Sequence, residues 1–291
     1  MRLLKNELLS RHTTFRVGGP CDVLINPESS DELISVIRDL KQKRALHYVI
    51  GNGSNLLVRD EGIRATVVEI SREISKIEIL TEMDNEVIIS AEAGASLAVL
   101  SSFAYREGLA GAEFAGGIPG TVGGAVFMNA GAYDGEISGV LVSTQYYDGL
   151  VDEVREIDNE AHVFGYRKSV FQENNGIIMK SIFKFPRGDK VEIKRKMDDY
   201  SARRREKQPL EFPSAGSTFK RPKGSFAGKL IENAGLRGYK IGGAQVAEKH
   251  CGFIINRCNA SAEDILKLID YVKEEVLKKF GIELEEEVRI L

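Results

Sequence analysis

The sequence predicts an α+β chain built from more than one domain, and three observations lead there. Residues 29–70 alternate between helical and strand patterns. From about Ser71 the texture is β-rich. Near Phe185–Asp189 it changes again, to a charged and helix-compatible segment. The 291 residues are too many for one small core and suit two or three modest ones. The expected division is 1–70, 71–187 and 188–291.

Each element has a local reason. Ser29 followed by Glu32 has capping-box spacing, and Leu33, Ile37 and Leu40 then recur at helical intervals. His47–Ile50 reads as a short buried strand, and Leu56–Val58 and Thr66–Ile70 as two more. Ile74, Ile77 and Ile79, then Val87–Ile89, fit strands. Ser96 can cap a helix carrying Leu97, Leu100 and Ala104 that stops at Gly108. Val140–Tyr147 and Ile177–Phe185 are strand-like, and Asp189–Gln208 is helix-compatible up to Pro209. The clearest amphipathic helix starts at Ser261 with Asp264, runs through Ile265, Leu268, Ile269, Val272 and Val276, and ends at Lys278, Lys279 and Gly281.

Composition narrows the function classes. Hydrophobic residues at 43% and charged residues at 29% can build a packed core. A net charge of −3 gives no global attraction for nucleic acid or an anionic membrane, so an anionic ligand must be held by local groups. No run approaches the roughly 20 apolar residues of a membrane helix. Cys21, Cys251 and Cys258 fit neither a disulfide framework nor a zinc ligand set, which points to a reducing cytoplasm. The four histidines are scattered and give no metal-ligand spacing.

Two glycine-rich segments stand out. Gly51-Asn52-Gly53-Ser54-Asn55 comes directly after a strand, but Leu56 occupies the third-glycine position of a Rossmann fingerprint and the residues beyond it are strand-like. The loop can expose several backbone N–H groups suited to a pyrophosphate; a tight turn between strands is the competing reading. In Gly116-Gly117-Ile118-Pro119-Gly120-Thr121-Val122-Gly123-Gly124, five of nine residues are glycine, although each costs roughly 0.5–1 kcal/mol relative to alanine in regular structure. One reason is close approach of a ligand, with Thr121 capping a helix whose N-terminus faces phosphate. Crowding by neighbouring backbone is another. Two such loops, neither a Rossmann match, suggest a dinucleotide held by a different fold.

Six segments occur in order: Gly51–Asp60, Gly116–Gly135, Gly165–Phe171, Pro213–Lys220, Ala247–Asn256 and Leu284–Arg289. As a set they resemble the UDP-N-acetylenolpyruvoylglucosamine reductases over nearly the whole chain. The resemblance implies an FAD-binding fold of the vanillyl-alcohol-oxidase/p-cresol-methylhydroxylase type, in two α+β subdomains, with a C-terminal α+β substrate-binding domain. It implies FAD and NADPH as cofactors and UDP-N-acetylglucosamine enolpyruvate as substrate. NADPH would reduce the flavin, flavin N5 would give hydride to C3 of the enolpyruvyl group, and a proton would reach C2. It also implies a cytoplasmic monomer in peptidoglycan precursor synthesis.

The resemblance assigns catalytic roles to Ser217 as proton donor, to Arg167 in Tyr-Arg-x-Ser as carboxylate holder, and to Glu287 as stabiliser of the enol or orienter of a proton relay. Taken without it, Ser217 reads as a turn residue, Arg167 as a surface ion-pair residue and Glu285–Glu287 as a solvated acidic face; Glu286 competes with Glu287 for the register. The implied cofactor residues are Gly51, Asn52, Gly53, Ser54, Asn55 and Leu56, then Gly116, Gly117, Ile118, Pro119, Gly120, Thr121, Gly123 and Gly124, with Asn129, Gly131 and Arg205. The implied substrate residues are Tyr133, Arg204, Lys207, Lys220, Gln245 and Arg289. His250–Cys251 reads as structural, since adjacent side chains usually point apart. The interval from Arg167 to Ser217 is too short for the tyrosine-bearing loop of the longer subclass and offers only Tyr200, so the chain resembles the shorter one. An FAD-dependent oxidase of a small alcohol and a non-catalytic nucleotide-binding protein are the alternatives.

Overall fold

The computed structural model describes every residue, Met1–Leu291. Its elements run in chain order as β1 (Arg2–Leu8), β2 (Pro20–Asn26), α1 (Ser30–Gln42), β3 (His47–Ile50), β4 (Leu56–Leu57), β5 (Ile63–Glu69), β6 (Ile77–Glu82), β7 (Glu86–Glu92), α2 (Leu97–Arg106), α3 (Val122–Met128), β8 (Gly131–Ala132) and β9 (Gly135–Glu136). They continue as β10 (Leu141–Asp148), β11 (Glu153–Asp158), α4 (Phe171–Asn174), β12 (Ile177–Pro186), α5 (Lys190–Lys207), α6 (Ala227–Asn233), β13 (Lys240–Ile241), β14 (Ala244–Val246), β15 (Ile254–Asn256), α7 (Ala262–Phe280) and β16 (Arg289–Ile290). No helix is long and apolar enough to cross a membrane.

The helix ends follow from side chains. Ser29 Oγ accepts the Glu32 N–H, but the Glu32 carboxylate accepts from Glu28 N, one residue before the reciprocal capping-box position. Leu33, Val36, Ile37 and Leu40 form the buried stripe of α1. Ser96 caps α2. Ser261 and Asp264 form a full capping box on α7, which ends at Gly281 with φ +64°.

Contacts divide the chain into two units. The first comprises Met1–Leu4, Leu24–Asn52 and Ala65–Arg203. In it β3 pairs in parallel with β5, within a sheet of order β1-β2-β5-β3. A five-stranded antiparallel sheet has the order β11-β10-β12-β7-β6, and the alternating apolar residues of β7 and β12 (Val87, Ile89, Phe183, Phe185) are buried. The second unit comprises Lys5–Val23, Gly53–Arg64 and Arg204–Leu291. Its antiparallel sheet β13-β14-β15 shares a core with α6 and α7 that includes Phe15, Leu57, Phe219, Ile254, Leu268 and Val276. Here β4 pairs in parallel with β16, Leu56 opposite Arg289. The Asp60 carboxylate accepts the N–H groups of Ala262 and Glu263 at 2.8 and 2.9 Å, capping α7 from a distant part of the chain.

These outlines differ from the expected 1–70, 71–187 and 188–291. Helix α5 begins beyond residue 188 yet stays with the first unit to Arg203. The cause is packing: Ile193 is buried near Gly188, and the Tyr200 ring stacks on Tyr133 at 4.4 Å. The segments 5–23 and 53–64 join the second unit because Phe15, Val17 and Leu57 fill its core.

Candidate active site

The first glycine loop leaves β3 at Ile50. A Cβ on Gly51 would collide with the Thr121 hydroxyl, and Asn52 Nδ2 donates to Pro119 O at 2.8 Å, so this end of the loop is seated on the second glycine segment. Gly53 has φ +58° and a Cβ there would strike the His12 carbonyl, so no other residue fits without rebuilding the turn. The chain offers no backbone acceptor to the N–H groups of Asn52, Gly53 or Ser54. Three successive donors of this kind make a cradle that fits a pyrophosphate.

The second segment departs from expectation in one respect. Thr121 does cap α3, accepting from Gly124 N at 3.3 Å. But Val122 N donates to Ala95 O at 2.8 Å and Gly123 N to Ala93 O at 2.9 Å. The first N–H groups of α3 are therefore already bonded inside the protein, and the helix terminus does not present them to a phosphate. Gly123 answers to packing instead, since a Cβ there would lie 3.0 Å from Ala93 Cβ. A Cβ on Gly116 would likewise lie 3.1 Å from Ser101 Oγ. Gly117, Pro119 and Gly124 are exposed, and Ile118 and Gly120 half-buried, so the accessible part of the segment is its loop.

Arg167 is half-buried and sits at φ +56° in a tight turn closed by Gly165 and Lys168, each donating its N–H to the other's carbonyl at 3.1 Å. Its guanidinium donates to Gly131 O at 3.2 Å and approaches Asn129 O at 3.5 Å. The turn is fastened by side chains. Asn129 Nδ2 donates to Gly165 O, Gln172 Nε2 to Arg167 O, and Ser169 Oγ to Phe127 O at 2.8 Å. Asn129 is fully buried at the left-handed end of α3, and its Oδ1 accepts from Ser138 N. The Asn129 side chain and the Gly131 carbonyl thus bind the arginine's own segment.

The turn stands on a buried polar chain. His162 O accepts from Val170 N at 2.8 Å, while its ring joins Asp158 O and Thr144 Oγ1, and Thr144 meets Ser181. Burial holds the His162 pKa below its ordinary value.

Ser217 and Glu287 lie in one patch of the second unit. Ser217 is half-buried and follows Gly216, at φ +74° with open space around its missing Cβ. Thr218 N donates to Gly252 O, and Thr218 O accepts from both Glu287 N at 2.8 Å and Val288 N at 3.4 Å. Two successive N–H groups converging on one carbonyl is the signature of a bulge, which re-aims the side chains around it. Lys220 N donates to Glu285 O at 2.9 Å, and Phe219 bridges Glu286. The first glycine loop joins the same patch: Asn55 Nδ2 donates to Glu287 O at 3.0 Å, and Arg289 N to Asn55 O at 2.9 Å.

Glu286 and Glu287 have different surroundings. Lys273 Nζ lies 2.7 Å from Glu286 Oε1. Burial works to raise the Glu286 pKa, but the Lys273 ammonium prevails and holds it below the usual glutamate value. Glu287 is half-buried beside Thr218.

The remaining predicted residues lie on several elements. Tyr133 has φ +52° and its ring is parallel to that of Tyr200, within 6°. Lys220 pairs with Glu285 at 3.0 Å. Gln245 is buried and its amide nitrogen donates to Gly238 O and Glu248 Oε1, which commits it to a turn. Arg204 is half-buried and Arg205 and Lys207 exposed, all on the last turn of α5, and Arg289 is exposed in β16. Leu56, half-buried, begins β4. Burial lowers the His250 pKa and raises that of Cys251, so this pair carries no reactive thiolate. Sequence reasoning gave no role to Thr218, Lys273 or Gln172. Ser169 was visible in the Tyr-Arg-x-Ser motif, whereas Lys273 lies on a helix face with no local signal.

Comparison with known proteins adds a second line. Residues 208–291 match the model of the UDP-N-acetylenolpyruvoylglucosamine reductase C-terminal domain, and residues 21–153 match an FAD binding domain. A protein of Caldanaerobacter subterraneus named UDP-N-acetylenolpyruvoylglucosamine reductase is 48% identical over 290 residues, covering 100% of this chain and 94% of its own length. One of the same name from Clostridium beijerinckii is 50% identical over 97% of this chain and 90% of its own. The crystal structure of the Thermus caldophilus reductase superposes with a TM-score of 0.83 at 35% identity, covering 100% of this chain and 99% of that one. Cholesterol oxidase from Brevibacterium sterolicum, at 11% identity, TM-score 0.50 and 64% coverage of this chain against 38% of its own, shares the fold alone.

Proposed function

We infer the reaction from the family: the chain belongs to the UDP-N-acetylenolpyruvoylglucosamine reductases. It is an oxidoreductase, a UDP-N-acetylmuramate dehydrogenase, and it binds FAD. The substrate is the UDP-linked enolpyruvyl sugar, which is reduced to UDP-N-acetylmuramate for peptidoglycan, with NADPH as reductant, in the cytoplasm and by a monomer. FAD, when bound, would supply the redox chemistry, linking hydride from NADPH to reduction of the enolpyruvyl double bond at C3.

The chain's own residues then have two tasks. One is to hold the pyrophosphate, for which the N–H groups of Asn52, Gly53 and Ser54 are disposed, with the loop Gly117–Gly120 beside Asn52. The other is to manage charge and proton at the enolpyruvyl carbons. Hydride arriving at C3 leaves negative charge at C2 and in the adjoining carboxylate. Arg167 binds that carboxylate; the guanidinium is always charged and stabilises the developing enolate. Ser217 Oγ delivers a proton to C2, completing addition of two hydrogens across the double bond. Glu287 stabilises the enol or orients the relay that returns a proton to Ser217.

One observation carries this reading. Backbone bonds between Ser217's neighbour Thr218 and Glu287 join the serine and glutamate segments in one patch with the first glycine loop. Glu286 lies 2.7 Å from the Lys273 ammonium, which holds its pKa below the usual glutamate value. The test is anaerobic. NADPH bleaches the flavin absorbance, and stoichiometric enolpyruvyl substrate restores it. Bleaching without recovery on substrate, together with fast recovery in oxygen, contradicts the reading and identifies an oxidase.

A further inference from the structure

Asn55 joins the first glycine loop to the C-terminal tail that carries Glu287. Nδ2 donates to Glu287 O at 3.0 Å, and its own carbonyl accepts Arg289 N at 2.9 Å. Asn55 therefore grips the tail on both sides of Val288. The same stretch is held from its other edge by Thr218 O, which accepts from Glu287 N and Val288 N. Glu287 is thus clamped between a side chain of the cofactor loop and the backbone next to Ser217. The paired strands β4 and β16 extend the clamp, with Leu291 N donating to Leu57 O and Arg59 N to Leu291 O.

From this we propose that Asn55 is a positioning residue for Glu287: its side chain fixes the register of the C-terminal tail against the Ser217 strand, and so sets the carboxyl that serves the proton-transfer step. The inference rests on the proposed role of Glu287. It goes beyond the expectation that Asn55 serves the cofactor. The loop's N–H donors at Asn52, Gly53 and Ser54 are main-chain groups, whereas the Asn55 side chain donates to the tail. The bulge at Thr218 breaks regular strand alternation beside Glu287, and the Asn55 bond holds the backbone carbonyl there. Misplacement of a proton-transferring group by about 1 Å can cost on the order of 10²-fold in rate.

Asn55→Asp keeps the size of the side chain and the whole main chain of the loop, but turns an acceptor toward the Glu287 carbonyl. The experiment measures the two half-reactions of the FAD-loaded enzyme separately. NADPH-driven bleaching and substrate-driven recovery are followed across pH in the parent, Asn55→Asp, Glu287→Gln and the double variant. The expected result is a recovery step slowed at least tenfold more than the bleaching step in Asn55→Asp, with the acid limb of its pH profile displaced. In the double variant Asn55→Asp adds little beyond Glu287→Gln, because both act through one group. Equal losses in both half-reactions, or additive losses in the double variant, overturn the positioning role and return Asn55 to the cofactor. Full recovery rate in Glu287→Gln instead overturns the role of Glu287 itself, and the proposal for Asn55 with it. A slowed Glu287→Gln beside an unaffected recovery step in Asn55→Asp overturns the Asn55 proposal alone.

Discussion

Arg167 in the first unit and Glu287 in the second are held by different kinds of bond. The arginine's turn hangs on side chains: Asn129 on Gly165 O, Gln172 on Arg167 O and Ser169 on Phe127 O, with the turn itself at positive φ. The serine and glutamate segments are joined mainly by backbone, through Thr218, Gly252, Glu285 and Arg289, with Asn55 as the side-chain contribution. A backbone ladder tolerates substitution because every residue type except proline can form it. A turn held by side chains at φ +56° depends on residue identity, since left-handed conformations of non-glycine residues cost on the order of 1–3 kcal/mol and persist only when their surroundings impose them. The first region should therefore be the more fragile under mutation.

The largest effect should come from Arg167→Lys. An ammonium cannot reproduce bidentate binding of a carboxylate, so substrate-driven flavin recovery should slow by about 10²–10³-fold, with NADPH-driven bleaching affected far less. Stopped-flow measurement of both steps decides it, and a recovery rate within about threefold of the parent would remove the arginine from the chemistry.

Asn129→Ala comes next. It removes the donor to Gly165 O and the acceptor for Ser138 N, and places alanine at φ +43°, a conformation asparagine tolerates better. The expected loss is about 2–3 kcal/mol of stability in denaturant titration, accompanied by weaker substrate binding. Unchanged stability would mean that Arg167's turn does not hang on its side chains.

The smallest effect concerns pH. His162 is buried and its pKa is depressed, so the unfolded chain binds a proton more readily than the folded one. Its contribution is fully present above the unfolded value of about 6.5 and is lost as pH falls below it toward the depressed folded value. Denaturation midpoints from about pH 7.5 to 5 should fall in the parent and fall less in His162→Gln. Parallel curves would show that this histidine does not govern acid stability.

Much of the fold is legible in the sequence. Ser96, Ser261 and Gly281 end their helices as their residue types require, and the strands at 47–50, 77–82, 86–92 and 141–148 follow from apolar patterning. The domain outlines are not legible, because Phe15, Val17 and Leu57 reach a core formed mostly from residues beyond 215, and no local pattern encodes so long a contact. The glycine count of the second loop is visible but its cause is mixed. Gly123 serves packing against Ala93, and the α3 N–H groups are taken by carbonyls that only tertiary structure brings there. The ion pair of Glu286 with Lys273 is not legible for the same reason, since Lys273 comes from α7 and no local pattern marks the contact. Strands β1 and β2 carry too few buried residues in alternation to be read.

The central claim is that a serine hydroxyl supplies the proton after hydride transfer, and Ser217→Ala tests it most directly. The variant should fold, hold FAD and be bleached by NADPH at close to the parent rate. On anaerobic addition of the enolpyruvyl substrate, its flavin absorbance should return at least about 10²-fold more slowly. Equal slowing of bleaching and recovery, or recovery at the parent rate, would contradict the account.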